Sequence, residues 1–260
     1  MKRTLHIYAE RVAKDIVVFL SNAFKNAAFS RAVIAASGGV DSSTSLALTV
    51  RALGTDNVFP VLLPYGDLNT QGVGDARSVI TFLRIPLGNV TRIDITSVVN
   101  SVLTAEPTTD DVRRGNVMAR TRMMVLFDQA KKRNALVVGT ENRSEHLLGY
   151  FTRFGDEASD IEPLRNLYKT QVYVLAEYLG IPNNILTKAP TAGLWTGQTD
   201  EGEFGFTYKE ADEILFLLYD EKKSVSEIVK QGIRREIVEK VMARVKKNSF
   251  KHHIPIVPDV

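Results

Sequence analysis

The residues best suited to chemistry form one short segment, residues 37–43, which reads Ser-Gly-Gly-Val-Asp-Ser-Ser. Two adjacent glycines allow a tight turn and a close approach of the backbone to an anion, and the start of a following helix favours bound phosphate. Ser37, Ser42 and Ser43 add hydroxyl donors, and Asp41 can hold a magnesium ion beside the phosphates. The segment therefore predicts a phosphate-binding loop. The plainer interpretation is a glycine turn capped by Asp41 or Ser42.

Two common nucleotide-binding patterns do not fit this chain. The segment is not a Walker A loop, because no lysine occupies the position that this pattern requires. No Gly-x-Gly-x-x-Gly occurs either, so the sequence does not indicate a dehydrogenase of the usual dinucleotide-binding class.

Composition excludes several further classes of protein. The 260 residues include no cysteine, which rules out disulfides, thiolate nucleophiles and cysteine-ligated metal sites. The net charge is only +3 and the basic residues are scattered, so no nucleic-acid partner is indicated. No apolar run approaches the length of a membrane span, and the first residues lack the apolar stretch of a secretory signal. We expect one cytoplasmic domain over residues 1–260 with no membrane partner.

Hydrophobic periodicity predicts the strands and helices that would position the loop. Apolar runs predict buried strands, and helical spacing predicts the segments between them. The predicted strands are 32–36, 58–63, 90–95 and 136–139, and the predicted helices are 4–26 with Thr4 as its cap, 43–53, 75–83 and 112–133. This alternation predicts an α/β fold with an open parallel sheet flanked by helices. Such sheets bind ligands beyond the carboxyl ends of their strands, where residues 37–43 fall.

The remainder of the chain divides into loops and helices. Residues 149–160 and 188–205 are rich in Gly, Thr and Asp and lack a clear period, so we interpret them as functional loops. Two capping-box patterns, at residues 207–210 and 224–227, predict a helical C-terminal part. Residues 248–260 are expected to form a tail.

Ser-Gly-Gly-x-Asp-Ser resembles the pyrophosphate loop of the ATP pyrophosphatases, which cleave ATP between its α and β phosphates. Four later stretches narrow the resemblance to the NAD synthetases, and together they follow the family in order over roughly residues 30–220. These stretches are 139–145, 149–156, 167–172 and 188–201. The resemblance implies the adenine-nucleotide alpha-hydrolase-like form of the open parallel sheet.

The resemblance also implies a set of site residues, each at a position that matches the family pattern. The ATP contacts would be Ala35, Ala36, Ser37, Gly38, Gly39, Val40, Asp41, Ser42, Thr140, Lys169 and Thr191. The magnesium ligands would be Asp41 and Glu145. The contacts to deamido-NAD would be Arg120, Arg153, Asp160, Phe250 and Lys251. Each of these residues also has a plainer structural interpretation. Without the family match, Arg120 would be interpreted as an exposed arginine on a helix.

The chain departs from the family at two places. Family members commonly carry lysine at the position of Arg153, and the two side chains differ in hydrogen-bonding geometry. Where the family often shows His-Lys-Arg before a proline, this chain has Phe250-Lys251-His252-His253. Lys251 therefore matches the family pattern, whereas Phe250 differs from it. A metal site at the two histidines is less favoured than a solvated tail, because no other paired ligands are evident.

The activity implied is the ATP-dependent amidation of deamido-NAD to NAD with ammonia. It would proceed through an adenylate and release AMP and pyrophosphate, with magnesium as the cofactor. Asp41 and Lys169 would act on the phosphates, and Asp160 is our candidate for deprotonating ammonium. Since a nitrilase-type glutaminase needs a catalytic cysteine, no glutaminase domain is expected. The family also implies a homodimer, and apolar groups on several faces of helix 112–133 agree with one.

Two other functions remain open from the residues. A GMP synthetase synthetase domain or a tRNA-thiolating enzyme would share residues 37–42 but not residues 150–156 or 191–201. A non-enzymatic module that only binds adenine nucleotides is the alternative from another class. Retention of both proposed metal ligands, Asp41 and Glu145, argues against it.

Overall fold

A computed structural model describes residues 5–253. Its centre is a four-stranded parallel sheet with the strand order β3-β2-β1-β4. The strands are β1 (Ala32–Ala35), β2 (Val58–Leu62), β3 (Thr91–Arg92) and β4 (Leu136–Val138). Ala32 of β1 lies opposite Val58 on one side and Leu136 on the other. The predicted open parallel sheet is confirmed.

Successive strand residues point to opposite sides of the sheet. Because they are apolar on both sides, helices pack against both faces. Ile34 and its neighbours on one face pack against α1 (Ala9–Asn26), α2 (Val40–Leu53), α3 (Thr70–Phe82) and α7 (Lys169–Leu179). Val33 on the other face packs against α4 (Thr96–Ala105) and α5 (Asp111–Arg133). Burial on both faces explains why the strands are apolar runs rather than alternating sequences.

The C-terminal part forms a separate helical cluster beside the sheet. Its helices are α10 (Tyr208–Leu215), which continues as a π-helical turn over Phe216–Asp220, α11 (Val225–Lys230) and α12 (Arg235–Asn248). Both predicted capping boxes are present, at Thr207 with Glu210 and at Ser224 with Glu227. Shorter helices complete the chain: α6 (Arg143–Leu148), α8 (Asn183–Leu186) and α9 (Asp200–Phe204).

Several predicted boundaries were wrong. The strand predicted over 90–95 has only two residues, because the Asp94 side chain accepts a hydrogen bond from the Thr96 amide and the chain turns into the unpredicted helix α4. Helix α3 begins at Thr70 rather than residue 75, since Asn69 caps it by accepting from the Gly72 amide. Helix α2 begins at Val40 rather than residue 43.

The ends of the chain also differ from the expectation. Helix α1 begins at Ala9, and the predicted cap Thr4 lies outside the described residues. The tail was expected to start at Asn248, but this residue is the last of α12, and a short 3-10 turn over Ser249–His252 follows it. Loop 188–205 contains the short helix α9. No helix within residues 5–253 combines the length and apolar character needed to cross a membrane.

Candidate active site

The loop after β1 is shaped by its own side chains. Gly38 has a φ of 79°, and a Cβ there would lie 2.2 Å from the carbonyl oxygen of Gly72, so only glycine fits. The hydroxyl of Ser43 donates to the Gly39 carbonyl at 2.7 Å. The hydroxyls of Ser37 and Ser42 lie 2.9 Å apart. The loop is therefore held in one conformation at the N-terminus of α2.

A cavity of about 710 Å³ opens at this carboxyl edge of the sheet. It is lined by most residues that the sequence assigned to ATP and the metal. These are Ala35, Ala36, Ser37, Gly39, Val40, Asp41, Ser42, Thr140, Glu145, Lys169 and Thr191. Gly38 is not part of the lining because it faces α3. The volume falls in the range of cavities that hold small-molecule ligands.

The N-termini of three helices bring the charged residues of the cavity together. Asp41 lies in the first turn of α2, Glu145 in the first turn of α6, and Lys169 is the first residue of α7. The ammonium Nζ of Lys169 lies 2.5 Å from Asp41 Oδ2 and 2.9 Å from Glu145 Oε1. We refer to these three residues as the ion cluster.

Asn142 fixes the geometry of the ion cluster from two sides. Its Oδ1 accepts a hydrogen bond from the Glu145 amide at 3.0 Å and thereby caps α6. Its Nδ2 donates to Asp41 Oδ1 at 2.9 Å. The Asn142 backbone amide also donates to Glu145 Oε2 at 3.5 Å, so this one buried residue contacts both carboxylates. Sequence reasoning missed it, although an Asn three residues before a Glu is a recognisable cap.

Lys169 is the most enclosed member of the ion cluster, with 3% of its side chain exposed. Burial alone would lower its pKa, but the adjacent carboxylates of Asp41 and Glu145 raise the pKa well above the ordinary lysine value. Lys169 is therefore an ammonium. A positive charge therefore lies beside the loop, where it can stabilise negative charge on a bound anion.

The two carboxylates of the ion cluster fit a magnesium site. Both already converge on one cation, and carboxylate oxygen is a preferred ligand of this metal. Within the described residues, no group of three or more His, Cys, Asp or Glu side chains could hold a metal. Magnesium sites of nucleotide enzymes commonly have one or two carboxylates, and water and phosphate supply the remaining ligands.

The loop 188–199 lines the cavity, and hydrogen bonds to buried polar groups hold the loop in place. Asp200 is 3% exposed, and its carboxylate accepts hydrogen bonds from the Ala192 amide and the hydroxyls of Tyr150 and Tyr208 at 3.0 to 3.1 Å. The Thr191 hydroxyl donates to the Gln198 carbonyl at 2.8 Å. Asp200 was missed from sequence, although it lies in a stretch that carried the family resemblance.

Residues assigned to deamido-NAD lie in and beside the cavity. Lys251 lines it, and its ammonium donates to the carbonyls of Gly149 and Phe151 at 2.7 Å. Outside the lining, the Arg153 guanidinium lies 5.6 Å from the ring of Phe250, which is 52% exposed.

The other two assigned residues also lie outside the cavity lining. The exposed Arg120 donates from Nε to the Arg153 carbonyl at 3.3 Å. Asp160 is exposed, and its Oδ2 accepts from the Val137 amide at 2.7 Å. The structure does not bring Asp160 to the ion cluster, so its role as a base remains a prediction. The His252 ring stacks edge-on against His146 at 4.4 Å.

Comparison with known proteins agrees with this geometry. A family model described as NAD synthase matches residues 12–255. The NH(3)-dependent NAD(+) synthetase of Fusobacterium nucleatum subsp. nucleatum is 40% identical over 256 residues, which cover 98% of each chain. The enzyme of the same name from Thermococcus kodakarensis is 44% identical over 248 residues, 95% of this chain and 96% of the relative.

Solved structures show the same likeness. NMN synthetase from Francisella tularensis superposes with a TM-score of 0.86 at 35% identity, covering 98% of this chain and all of that one (100%). The NH3-dependent NAD synthetase from Campylobacter jejuni, in complex with nitrate, gives a TM-score of 0.82 at 30% identity. The match covers 97% of this chain and 100% of that one. With the phosphate-binding loop and the ion cluster in one cavity, these matches show that the chain belongs to the NAD synthase family.

Proposed function

We propose that this chain is a ligase that forms the amide of NAD from deamido-NAD and ammonia at the expense of ATP. The observation that carries the proposal is the position of the ion cluster directly beside the loop of Ser37–Ser42 in one cavity. Family membership supplies the substrate class. A module that only bound nucleotide would not need two carboxylates and a buried ammonium at the phosphate position.

Amidation needs activation, because a carboxylate resists attack and has no good leaving group. In the first step, an oxygen of the nicotinate carboxylate attacks the α-phosphorus of ATP. The new bond joins this oxygen to phosphorus, and the bond from the α-phosphorus to the bridging oxygen breaks, so that pyrophosphate leaves. Lys169 and the backbone amides of the loop stabilise the charge that develops on the phosphates.

Asp41 and Glu145 would hold the magnesium ion. When bound, it supplies positive charge that neutralises the triphosphate. In the second step, the nitrogen of ammonia attacks the activated carbonyl carbon and AMP leaves, with loss of one proton. Thr140 and Thr191 line the same cavity and are proposed ATP contacts.

Deamido-NAD is proposed to contact Lys251 at the cavity and the adjoining residues Arg120, Arg153 and Phe250. Asp160, which accepts from the Val137 amide, is proposed as a further contact. Arginine in place of the family's lysine at position 153 keeps the positive charge, and its planar guanidinium can stack on an aromatic ring. This stacking gives Phe250 a role in placing Arg153.

A homodimer is also proposed, together with the expected location in the cytoplasm. Large apolar side chains remain exposed on α4 and α5, although other residues of both helices pack on the sheet. They are Val98, Val102, Val112 and Met124, each at least 39% exposed. An apolar surface of this kind is suited to a second copy of the chain.

The proposal is tested by incubating the protein with magnesium, ATP, deamido-NAD and ammonium chloride and following NAD, AMP and pyrophosphate together. Equal yields of all three products, and none without deamido-NAD, are expected. Nicotinate mononucleotide replaces deamido-NAD in a parallel reaction, because one similar structure is an NMN synthetase. Faster turnover of the mononucleotide would retain the ATP chemistry and overturn the dinucleotide as substrate.

A further inference from the structure

Lys169 occupies the position between the two proposed metal ligands. Its Nζ lies 2.5 Å from Asp41 Oδ2 and 2.9 Å from Glu145 Oε1, so a single nitrogen makes both contacts. The ammonium also lies 5.0 Å from the centre of the Tyr208 ring, and its side chain is 3% exposed. A cation that belongs to the chain is therefore already placed between the two carboxylates.

A magnesium ion and this ammonium cannot occupy the same position. Magnesium binds carboxylate oxygens at about 2.0 to 2.1 Å, and two cations at such close range repel each other strongly where water is excluded. Metal binding by both carboxylates therefore requires Lys169 to move away. The displaced ammonium is buried, so moving it is costly unless another anion receives it.

ATP can supply that anion, because the phosphate-binding loop lies beside the ion cluster. We propose that Lys169 is a built-in competitor of the metal: it fills the metal position in the ligand-free protein and withdraws to the triphosphate when ATP arrives. Magnesium and ATP then bind together rather than in sequence. This inference rests on the proposed function, since it takes Asp41 and Glu145 as the metal ligands.

The test measures binding of Mn2+ to the ligand-free protein by electron paramagnetic resonance, in which free and bound manganese are distinguished. Lys169→Met should bind Mn2+ at least about tenfold more tightly than the unmodified chain, which corresponds to roughly 1.4 kcal/mol. Lys169→Arg retains the charge and should stay within about threefold of the unmodified chain. The same affinity or a weaker one for Lys169→Met would overturn the inference.

Lys188 provides a matched control. It is another lysine of the cavity lining, its ammonium lies 3.0 Å from an aspartate, Asp75, and it contacts neither proposed metal ligand. Lys188→Met should leave the Mn2+ affinity within about threefold of the unmodified chain. An equal gain in both methionine variants would indicate a general effect of net charge and would contradict a specific competitor.

A second measurement covers the case in which Lys169→Met does not fold. Lys169→Gln keeps a polar side chain that can donate to a carboxylate. Mn2+ alone should then raise the Tm of Lys169→Gln but not that of the unmodified chain. A Tm that responds to Mn2+ equally in both proteins would count against the inference.

Failure of the inference and failure of the proposed function give different results. With a non-cleavable α,β-methylene analogue of ATP, the unmodified chain should bind Mn2+, and Asp41→Asn should lose that binding. If Asp41→Asn binds Mn2+ normally with the analogue, the metal assignment in the proposed function is wrong. If Asp41→Asn loses Mn2+ binding while Lys169→Met does not bind Mn2+ more tightly, the metal assignment stands and only the inference about Lys169 as a competitor is wrong.

Discussion

Asp41 contacts a different residue of the site through each of its two carboxylate oxygens. One of its oxygens accepts from Asn142 and the other contacts Lys169. Asp41→Asn keeps the shape but removes the charge, so the rate of NAD formation should fall by at least about 100-fold. Measurement of NAD, AMP and pyrophosphate yields tests this. Asp56→Asn, at an exposed turn, should remain as active as the unmodified chain. Near-normal activity of Asp41→Asn would refute the assignment.

Glu162 should make the stability of the protein depend on pH. Burial raises the pKa of its carboxyl to about 8, although Ser159 and Arg165 oppose the shift. Because the folded pKa lies above the unfolded value of 4.5, the folded state binds more protons between these values. Stability from this group is complete below about pH 4.5 and is lost as pH rises through 8.

Glu162→Gln should remove most of this pH dependence. Relative to the unmodified chain, the free energy of unfolding of the variant should rise by on the order of 3 kcal/mol between pH 5 and pH 8. Urea unfolding at a series of pH values measures the difference. Glu239→Gln, on the exposed face of α12, is the control and should leave the slope unchanged. Parallel profiles for Glu162→Gln and the unmodified chain would contradict the prediction.

At the scale of single residues, the sequence predicted the site residues that belong to local motifs. Asp41, Glu145 and Lys169 were assigned through separate stretches of the family pattern, and the structure brings them within hydrogen-bonding distance. Asp200 was not assigned, because its partners include Tyr150, which is distant in sequence. Such a contact has no period or spacing that a single sequence could reveal.

Gly38 shows how one backbone position connects two elements. A Cβ at this residue would meet the Gly72 carbonyl at 2.2 Å, and the φ of 79° is unfavourable for other residues. Gly38→Ala should therefore displace the phosphate-binding loop from α3. ATP binding, measured by calorimetry, should be lost.

Gly54 is a matched control for this substitution. Its φ is 81°, but a Cβ there would have no atom within 4 Å. Gly54→Ala carries the backbone strain alone, and Gly38→Ala should destabilise the protein by about 1 to 3 kcal/mol more because of the added overlap. Urea unfolding measures the difference. Equal stability of the two variants, or normal ATP binding by Gly38→Ala, would contradict this account.

Elements with a strong apolar pattern were the ones that sequence predicted well. Strands β1, β2 and β4 and helix α5 appear close to their expected bounds. Helix α4 was missed because its sequence, Thr-Ser-Val-Val-Asn-Ser-Val-Leu-Thr-Ala, is rich in β-branched residues that favour strands. Packing of Val99 and Leu103 on the far face of the sheet overrides that local preference.

At the scale of the whole molecule, the exposed apolar side chains of α4 and α5 predict a dimer. Light scattering of the purified protein should give twice the mass of one chain. Val102→Glu places a charge on this surface and should shift the protein to the monomer. Val174→Glu is the control: Val174 is similarly exposed but lies on α7, which packs against the opposite face of the sheet. A monomer before any substitution, or a dimer that survives Val102→Glu, would exclude this interface.

The central claim is that ATP activates the nicotinate carboxylate as an adenylate within this cavity. Its most direct test uses deamido-NAD whose nicotinate carboxylate carries the heavy oxygen isotope in both positions. Mass spectrometry of the products should find one labelled oxygen in AMP and the other in the amide of NAD. Label in inorganic phosphate, or NAD formed with unlabelled AMP, would contradict the adenylate and with it the role proposed for the site.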